Sequence, residues 1–290
     1  MRRRALFLVN RKARKGSDLL GKALRSLESF GFDLLEVPQR PRESPSAAML
    51  RFGRRGASMA IVGGGDGTLN GAVDALAHLK LRVGILPLGT ANDFARTLQI
   101  PQDLEGACRV IAQGHTKRFD LGSVNGKFFL NEASMGISST IAGGLTRSAK
   151  KRWGVFAAAG MAVSAVRKAR AFTVDVRCDR TTLTVRAYQV TIGNGVFLGG
   201  VPNFDASVRD GLLDMYVFET KRPGDVARML PYAAAGRHDA NPFVLTGKGK
   251  RFTLKTSRRL KIFTDGEPAG TTPATIAVAP KALRVFIPKG

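Results

Sequence analysis

Several residue types are scarce in this 290-residue sequence, and each scarcity narrows the class of protein. The chain has two cysteines, Cys108 and Cys178, too few for a disulfide framework or a cysteine-based metal cluster. A reducing cytoplasm is therefore the expected compartment. No uninterrupted apolar stretch reaches the roughly 18 residues that a membrane span requires. With 44% hydrophobic and 23% charged residues, the chain has the composition of a folded globular protein.

Acidic residues are scarce relative to basic ones. Twenty-two Asp and Glu stand against 46 Lys and Arg, which gives a formal net charge of +24. Three segments, 1–15, 147–170 and 248–261, each contain seven basic residues and no acid. A field of this sign attracts polyanions such as nucleic acid, anionic lipid headgroups or nucleotide phosphates. A generally basic proteome would give the same surface, so charge alone selects no partner.

The first 120 residues alternate between strand-like and helical patterns. A short apolar run typical of a buried strand occupies 5–9, and strand-like patterns follow over 32–37, 58–62 and 82–86. Helical spacing of leucine and alanine covers 17–30, and Ser44 followed by Pro45 predicts the start of another helix. Strands that alternate with helices predict a parallel sheet covered on both faces.

The pattern changes after Asp120. Asn125-Gly126 predicts a hairpin, and most of the later strand-like runs are short and rich in β-branched and aromatic residues. Among these runs are 183–192, 274–278 and 283–287, each predicted as one strand. One long helical pattern over 151–168 interrupts them. We therefore predict an α/β domain over 1–121 and a mainly antiparallel β-sandwich domain over 122–290, whose last strand could pack back on the first domain.

A glycine-rich loop over 63–70 follows a buried strand and leads into a helix. Successive glycines let backbone amides converge on a ligand, and a helix N-terminus favours negative charge, so the loop suits a polyphosphate. Asp66 would repel phosphate unless a divalent cation lay between them, which predicts a Mg²⁺ contact. The structural alternative is a tight turn in which Asp66 caps the helix.

A second loop, 87–96, also follows a strand of the predicted sheet. In a parallel sheet both loops emerge at the same carboxyl edge, where ligands bind. Thr90 and Asn92 offer hydrogen bonds to phosphate or ribose, Asp93 adds an acid, and Arg96 adds a counter-charge. Alone, this loop could be an ordinary helix cap; together, the two loops predict a site.

The segments Gly64-Gly65-Asp66-Gly67-Thr68 and Gly89-Thr90-Ala91-Asn92-Asp93-Phe94-Ala95-Arg96 resemble the catalytic domain of diacylglycerol kinases and related lipid kinases. The soluble bacterial type is the most similar in length and layout, over essentially the whole chain. The segment 10–16 is similar to the nucleotide loop of that family, with Arg11 where proline is usual. The resemblance implies an NAD-kinase-like α/β domain that binds ATP and a β-sandwich domain that binds lipid.

The resemblance also implies roles for individual residues. Glu267, in Asp265-Gly266-Glu267-Pro268, matches the presumed base, although read alone it would be an acid in a surface turn. The acidic cluster around it comprises Asp66, Asp93 and Asp120, with Asp66 at the catalytic Mg²⁺. The ATP-binding positions are Asn10, Gly16, Gly63, Gly64, Gly65, Asp66, Gly67, Thr68, Gly89, Thr90 and Asn92. A structural Mg²⁺ is implied at Ser207, Asp210 and the carbonyl of Leu212.

A second group of residues suggests how the protein reaches a lipid. Cationic ends flank the apolar stretch 155–166, a pattern typical of a helix lying on an anionic membrane. The residues are Lys150, Lys151, Arg152, Trp153, Arg167 and Lys168. A buried helix with small residues explains the stretch equally well. We expect peripheral membrane association and no nucleic-acid partner, and analogy makes a homodimer plausible.

These observations predict an ATP- and Mg²⁺-dependent lipid kinase that phosphorylates a lipid hydroxyl, with diacylglycerol as the default acceptor and a phospholipid such as phosphatidic acid as the product. Relatives with the same motifs accept other lipids, so the acceptor stays open. One alternative is an NAD kinase, which shares the Gly-Gly-Asp-Gly-Thr loop. The other is a protein without turnover that binds anionic membranes or polyanions.

Overall fold

A computed structural model of the protein describes residues 3–10, 16–137, 170–179, 181–198, 201–202, 206–219, 242 and 244–289. The chain divides into two units. The first comprises Met1–Leu121 and Ala279–Gly290, and the second comprises Gly122–Val278. The helix predicted over 151–168 lies outside the described residues.

The first unit alternates strands and helices. Its elements are β1 (Arg3–Val9), α1 (Gly16–Ser29), β2 (Phe32–Glu36), α2 (Pro45–Phe52), β3 (Met59–Gly64), α3 (Asp66–His78), β4 (Arg82–Pro87), α4 (Asp93–Thr97) and α5 (Leu104–Gln113). The four strands are parallel, in the order β2-β1-β3-β4. Every residue of β3 is buried, as expected of an inner strand with both faces covered. The carboxyl ends of β3 and β4 therefore lie side by side.

Local sequence explains where these helices begin. Ser44 caps α2 by accepting a hydrogen bond from the Ala47 N–H, and Asp103 caps α5 by accepting one from the Gly106 N–H. The helix α3 begins at Asp66, inside the loop predicted over 63–70. Gly65 supplies an extended N-cap, and an acid in the first turn is favoured by the helix dipole, so the helix takes in part of the predicted loop.

The described residues after α5 are mostly strands. After β5 (Thr116–Val124) come β6 (Lys127–Phe129), β7 (Glu132–Gly136), β8 (Phe172–Cys178), β9 (Thr181–Ala187), β10 (Gln189–Gly193), β11 (Phe197–Leu198), β12 (Val201–Pro202), β13 (Leu213–Phe218), β14 (Val244–Gly249), β15 (Arg251–Thr256), β16 (Lys261–Thr264), β17 (Glu267–Thr271) and β18 (Ala274–Phe286). The predicted Asn125-Gly126 hairpin joins β5 and β6, with φ of 49° and 89° at its two turn residues.

The second unit is a β-sandwich. One antiparallel sheet has the order β14-β13-β10-β7-β16-β17. In the other, β15 lies between β8 and the first residues of β18, and β9 lies beyond β8. Both sheets contribute apolar side chains to one core, which includes Met135, Val174, Ile192, Val217 and Phe252. The predicted succession of an α/β domain and a β-sandwich domain is confirmed.

Two strand predictions need correction. The run 183–192 forms β9 and β10 rather than one strand, because the chain passes at Tyr188 from one sheet to the other. Conversely, the runs 274–278 and 283–287 form one strand, β18. Within the first unit, Arg284 and Val285 of β18 pair in parallel with Arg82 and Val83 of β4.

Candidate active site

The two glycine-bearing loops of the first unit are in direct contact. They follow the neighbouring strands β3 and β4, and a Cβ added to Gly65 would lie 2.9 Å from the Gly89 Cα. The Leu88 N–H also donates to the Gly64 carbonyl at 3.0 Å. A side chain at Gly65 or Gly89 would push the loops apart, so only glycine fits at either position without a steric clash.

Hydrogen bonds of the Asn92 side chain hold the second loop in its conformation. Asn92 has a left-handed backbone (φ 52°), and its Oδ1 accepts the Gly89 N–H at 3.0 Å. Its Nδ2 donates to the Gly89 carbonyl at 3.2 Å and to Gln102 Oε1 at 3.1 Å. In this conformation the Asn92 amide binds protein atoms, so its predicted contact with nucleotide stays a prediction, as does that of the exposed Thr90.

The loops also bring Asp66 and Asp93 together. Asp66 Oδ1 accepts the N–H of Phe94, the residue after Asp93, at 3.3 Å. Burial raises the pKa of Asp93, the charge of Asp66 raises it further, and Arg96 partly offsets both effects. Asp93 Oδ1 is buried and accepts no hydrogen bond from the residues that the structure describes. A buried carboxylate oxygen beside a second acid requires a cation or a proton.

A small pocket lies at this junction, and it mixes apolar and polar walls. The lining residues are Val62, Gly64, Gly65, Asp66, Leu69, Ile85, Asn92 and Ala95. Beside it, Asn10 follows β1, donates its N–H to the Gly63 carbonyl at 3.0 Å and donates Nδ2 to Thr68 Oγ1 at 3.3 Å. Gly67 is exposed, and Gly16 is the first residue of α1. The predicted ATP-binding positions from 63 to 68 thus surround one strand-to-helix junction that also contacts Asn10.

Asp120 lies apart from the loops in sequence, on β5, and is 1% exposed. Its Oδ1 accepts the Lys281 N–H at 2.7 Å, and Lys281 has a left-handed backbone with φ 55°. The carboxylate therefore fixes a bend within β18, on the segment that returns to the first unit.

Glu267 belongs to the second unit. It is the first residue of β17, it is exposed, and it pairs with Thr264 across a hairpin whose two turn residues are Asp265 and Gly266. The turn therefore ends one residue before Glu267, and the acid lies on a strand rather than in a turn. The reason is that the two-residue loop takes up both positive φ angles.

The predicted structural metal site also lies in the second unit. Ser207 Oγ accepts the Arg209 N–H at 3.2 Å, and Asp210 Oδ1 accepts the Leu212 N–H at 3.0 Å. These bonds curl residues 207–212 into a tight loop before β13. Over the described part of the chain, no three His, Cys, Asp or Glu side chains form a metal-binding group by themselves.

The predicted membrane contacts lie outside the described residues. They are Lys150, Lys151, Arg152, Trp153, Arg167 and Lys168. Among the residues that the structure does describe, no helix has both the length and the apolar character needed to cross a bilayer.

Sequence reasoning assigned no role to two residues that hold these sites in place, Gln102 and Asp265. Gln102 lies ten positions after Asn92 and showed no motif. Asp265 precedes a glycine, which signals a hairpin turn, but the three N–H groups that its carboxylate accepts come from Leu130, Asn131 and Glu132. No spacing in the sequence could reveal such a distant contact.

Comparison with known proteins identifies the family. Residues 4–124 match the sequence model described as the diacylglycerol kinase catalytic domain, and residues 132–287 match the YegS C-terminal NAD kinase beta sandwich-like domain. A diacylglycerol kinase of Staphylococcus epidermidis is 27% identical over 295 residues, covering 100% of this chain and 93% of the relative. One of Staphylococcus aureus is 27% identical over 296 residues, covering 99% and 93%.

Solved structures agree with the sequence matches. A crystal structure from Bacillus anthracis, of a protein assigned as a diacylglycerol kinase, superposes with a TM-score of 0.83 at 28% identity and covers 99% of this chain and 95% of the other. A second structure from that organism gives a TM-score of 0.80 at 26% identity, covering 99% and 97%. The chain therefore belongs to the diacylglycerol kinase catalytic-domain family, and it is an ATP-dependent lipid kinase.

Proposed function

We propose that the protein transfers the γ-phosphoryl group of ATP to the free hydroxyl of diacylglycerol and thereby forms phosphatidic acid. The names of the two staphylococcal relatives, matched along almost their whole length, support this acceptor. The bond between the γ-phosphorus and its bridging oxygen to ADP breaks, and a bond from the lipid oxygen forms.

The observation that carries this proposal is the pair of carboxylates at the contact between the two glycine loops. Mg²⁺ in kinases is held by one or two carboxylates together with phosphate oxygens. Asp66 and Asp93, whose buried Oδ1 has no hydrogen-bond partner among the described residues, fit that requirement, because they place two acids beside the first turn of α3. Bound there with ATP, Mg²⁺ would neutralise the phosphates on which charge develops.

Backbone groups of the same junction would bind the phosphates. The Thr68 and Leu69 N–H groups donate to the Gly65 carbonyl, which leaves the N–H groups of Asp66 and Gly67 without an acceptor inside the helix. A helix N-terminus with free N–H groups and a flanking glycine is suited to an anion.

A base must take the proton of the acceptor hydroxyl, and we propose Glu267 for this role. Its exposed position at the start of β17 leaves its carboxylate open to a substrate. Asp120 is the third acid of the proposed cluster. Its carboxylate also fixes the bend at Lys281. Ser207, Asp210 and the Leu212 carbonyl supply only oxygen ligands, the type that Mg²⁺ prefers, and they would hold the structural ion.

A lipid substrate also requires contact with a membrane. We propose that the cytoplasmic protein, which could act as a homodimer, associates peripherally with anionic membranes through Lys150, Lys151, Arg152, Trp153, Arg167 and Lys168. The basic character of 147–170 supports this. Replacing Lys150, Lys151, Arg167 and Lys168 with Glu should weaken sedimentation with anionic vesicles, and unchanged sedimentation would refute the role.

The test of the proposed reaction is mass spectrometry of a total lipid extract after incubation with the protein, ATP and Mg²⁺. We expect a mass gain of one phosphate on diacylglycerol, reduced by about a hundredfold or more but still measurable in Glu267→Gln, and retained in Glu105→Gln, a matched change at an exposed acid of α5. Phosphorylation of another lipid alone would refute the proposed acceptor. Phosphorylation of NAD in a parallel incubation, with none of lipid, would indicate an NAD kinase.

A further inference from the structure

The turn that precedes Glu267 is held by more than its backbone. Asp265 and Gly266 both have positive φ, 47° and 83°, which is the geometry of a two-residue type I′ turn. Asparagine or glycine would satisfy that geometry equally well at the first position. The turn geometry alone therefore does not explain why this residue is an aspartate, and the cause lies outside the turn.

That cause is a cluster of three backbone N–H groups. Asp265 Oδ2 accepts the Leu130 N–H at 2.9 Å, and Oδ1 accepts the N–H groups of Asn131 and Glu132 at 2.9 Å and 3.0 Å. In return, the Asp265 N–H donates to the Glu132 carbonyl at 3.0 Å. Hydrogen bonds to an ionised carboxylate are shorter and stronger than neutral ones. Four bonds thus connect the turn to the start of β7.

The segment that Asp265 contacts is itself fixed. Asn194, which is 1% exposed and follows β10, donates Nδ2 to the Leu130 carbonyl at 2.8 Å and its N–H to the Asn131 carbonyl at 2.7 Å. Leu130 and Asn131 are buried, and hydrogen bonds from Asn194 hold the segment to which the turn is attached.

Glu267 depends on this attachment because β17 is an edge strand. It is the last strand of its sheet and pairs with β16 alone among the described strands. The pairing is also irregular, with a register shift between Ile262 and Phe263. The start of β17, where Glu267 lies, is thus fixed chiefly by the turn.

We propose that Asp265 is the positioning residue for Glu267: its carboxylate fixes the turn to residues 130–132 and so fixes the place from which Glu267 acts. This inference rests on the proposed role of Glu267 as the base. A displacement of about 1 Å can cost on the order of a hundredfold in rate, so a loosened turn should lower kcat.

Two substitutions of Asp265 remove different numbers of its hydrogen bonds to residues 130–132. Asp265→Asn retains the turn, because asparagine tolerates positive φ, and its one oxygen can still accept the Asn131 and Glu132 N–H groups. Its amide nitrogen then faces the Leu130 N–H, and the charge is lost. Asp265→Ala removes all three acceptors. We expect kcat to fall about tenfold in the first and about a hundredfold in the second, with KM for ATP within about twofold of the parent value.

A matched control exists at the other Asx-Gly hairpin of the same unit. Asn125 has φ 49°, and its Oδ1 accepts the Thr275 N–H at 2.9 Å. Asn125→Ala therefore removes a side-chain contact from an equivalent turn, and we expect a lower Tm with unchanged kcat. If Asn125→Ala lowered kcat as much as Asp265→Ala, general destabilisation would explain both, and the proposal would be overturned.

A double substitution separates positioning from an independent structural role. If Asp265 acts through Glu267, adding Asp265→Asn to Glu267→Gln lowers kcat by less than about twofold further, because the group being positioned is already absent. The proposal would be refuted if the double variant lost kcat by the product of the two separate effects. It would also be refuted if both Asp265 variants kept parent-like kcat while Glu267→Gln was strongly impaired. Parent-like kcat in Glu267→Gln itself would instead refute the base assignment on which it rests.

Discussion

Replacing Gly89 with alanine tests the contact between the two glycine loops. A Cβ at this position would lie 2.7 Å from Asn92 Oδ1 and closer still to the Gly65 Cα, where ordinary contacts are 3.4 Å or more. Gly89 does not have positive φ, so the cost comes from this overlap rather than from the backbone. Overpacking of this kind costs about 1–3 kcal/mol. At about 2–4 °C per kcal/mol for a chain of this size, Tm should fall measurably.

The same overlap should displace the phosphate-binding junction. We expect kcat/KM for ATP to fall by about tenfold to a hundredfold, since a shift of about 1 Å at a reacting group has effects of this size. Thermal unfolding measures Tm, and steady-state kinetics at varied ATP concentration measure kcat/KM. Gly89→Ala with parent-like Tm and parent-like kcat/KM would refute the described contact of the loops.

Gly21→Ala provides the control. Gly21 lies within α1, where an added Cβ would meet only the flexible end of Arg25, at 3.5 Å. Alanine is favoured over glycine inside a helix by up to about 1 kcal/mol. Tm should therefore rise slightly, and ATP kinetics should not change.

Two further predictions concern charge. Hydrogen bonds from Arg51 and the Arg40 N–H lower the pKa of Glu43 to about 2. The ionised Glu43 therefore stabilises the fold above pH 4.5, and this contribution is lost as the pH falls towards 2. Glu43→Gln should lower Tm at pH 7 and shrink the difference in Tm between pH 5 and pH 3. Asp93 is the opposite case, because its raised pKa means that the ionised form opposes folding near neutral pH. Asp93→Asn should therefore raise Tm of the metal-free protein at pH 7 while lowering kcat by about a hundredfold or more, measured by calorimetry and by phosphoryl transfer to lipid.

Much of the first unit could be predicted from local sequence. Buried strands of five or more apolar residues, the Ser44-Pro45 start of α2 and the two glycine loops are local signals, and the structure contains each of them. The bounds of the helices α4 and α5 were not predicted. α4 has only five residues, and the start of α5 depends on a single Asp103 cap.

The tertiary contacts could not be predicted, because they join residues far apart in the chain. The Asp120 contact with Lys281 spans 161 positions, and the Asp265 contacts with residues 130–132 span 133 to 135. Sequence indicated that Asp66 and Asp93 would share an edge, since both follow adjacent parallel strands. It could not indicate that one oxygen of Asp93 would be buried without a hydrogen bond.

The Mg²⁺ dependence of lipid phosphorylation in Asp66→Asn tests most directly whether the paired carboxylates support phosphoryl transfer. The comparison is Asp33→Asn, which makes the same chemical change at an exposed acid paired with Arg4. We expect Asp66→Asn to need at least about tenfold more Mg²⁺ for half-maximal rate and to turn over about a hundredfold more slowly, with Asp33→Asn like the parent. Parent-like rate and Mg²⁺ dependence in Asp66→Asn would contradict the account.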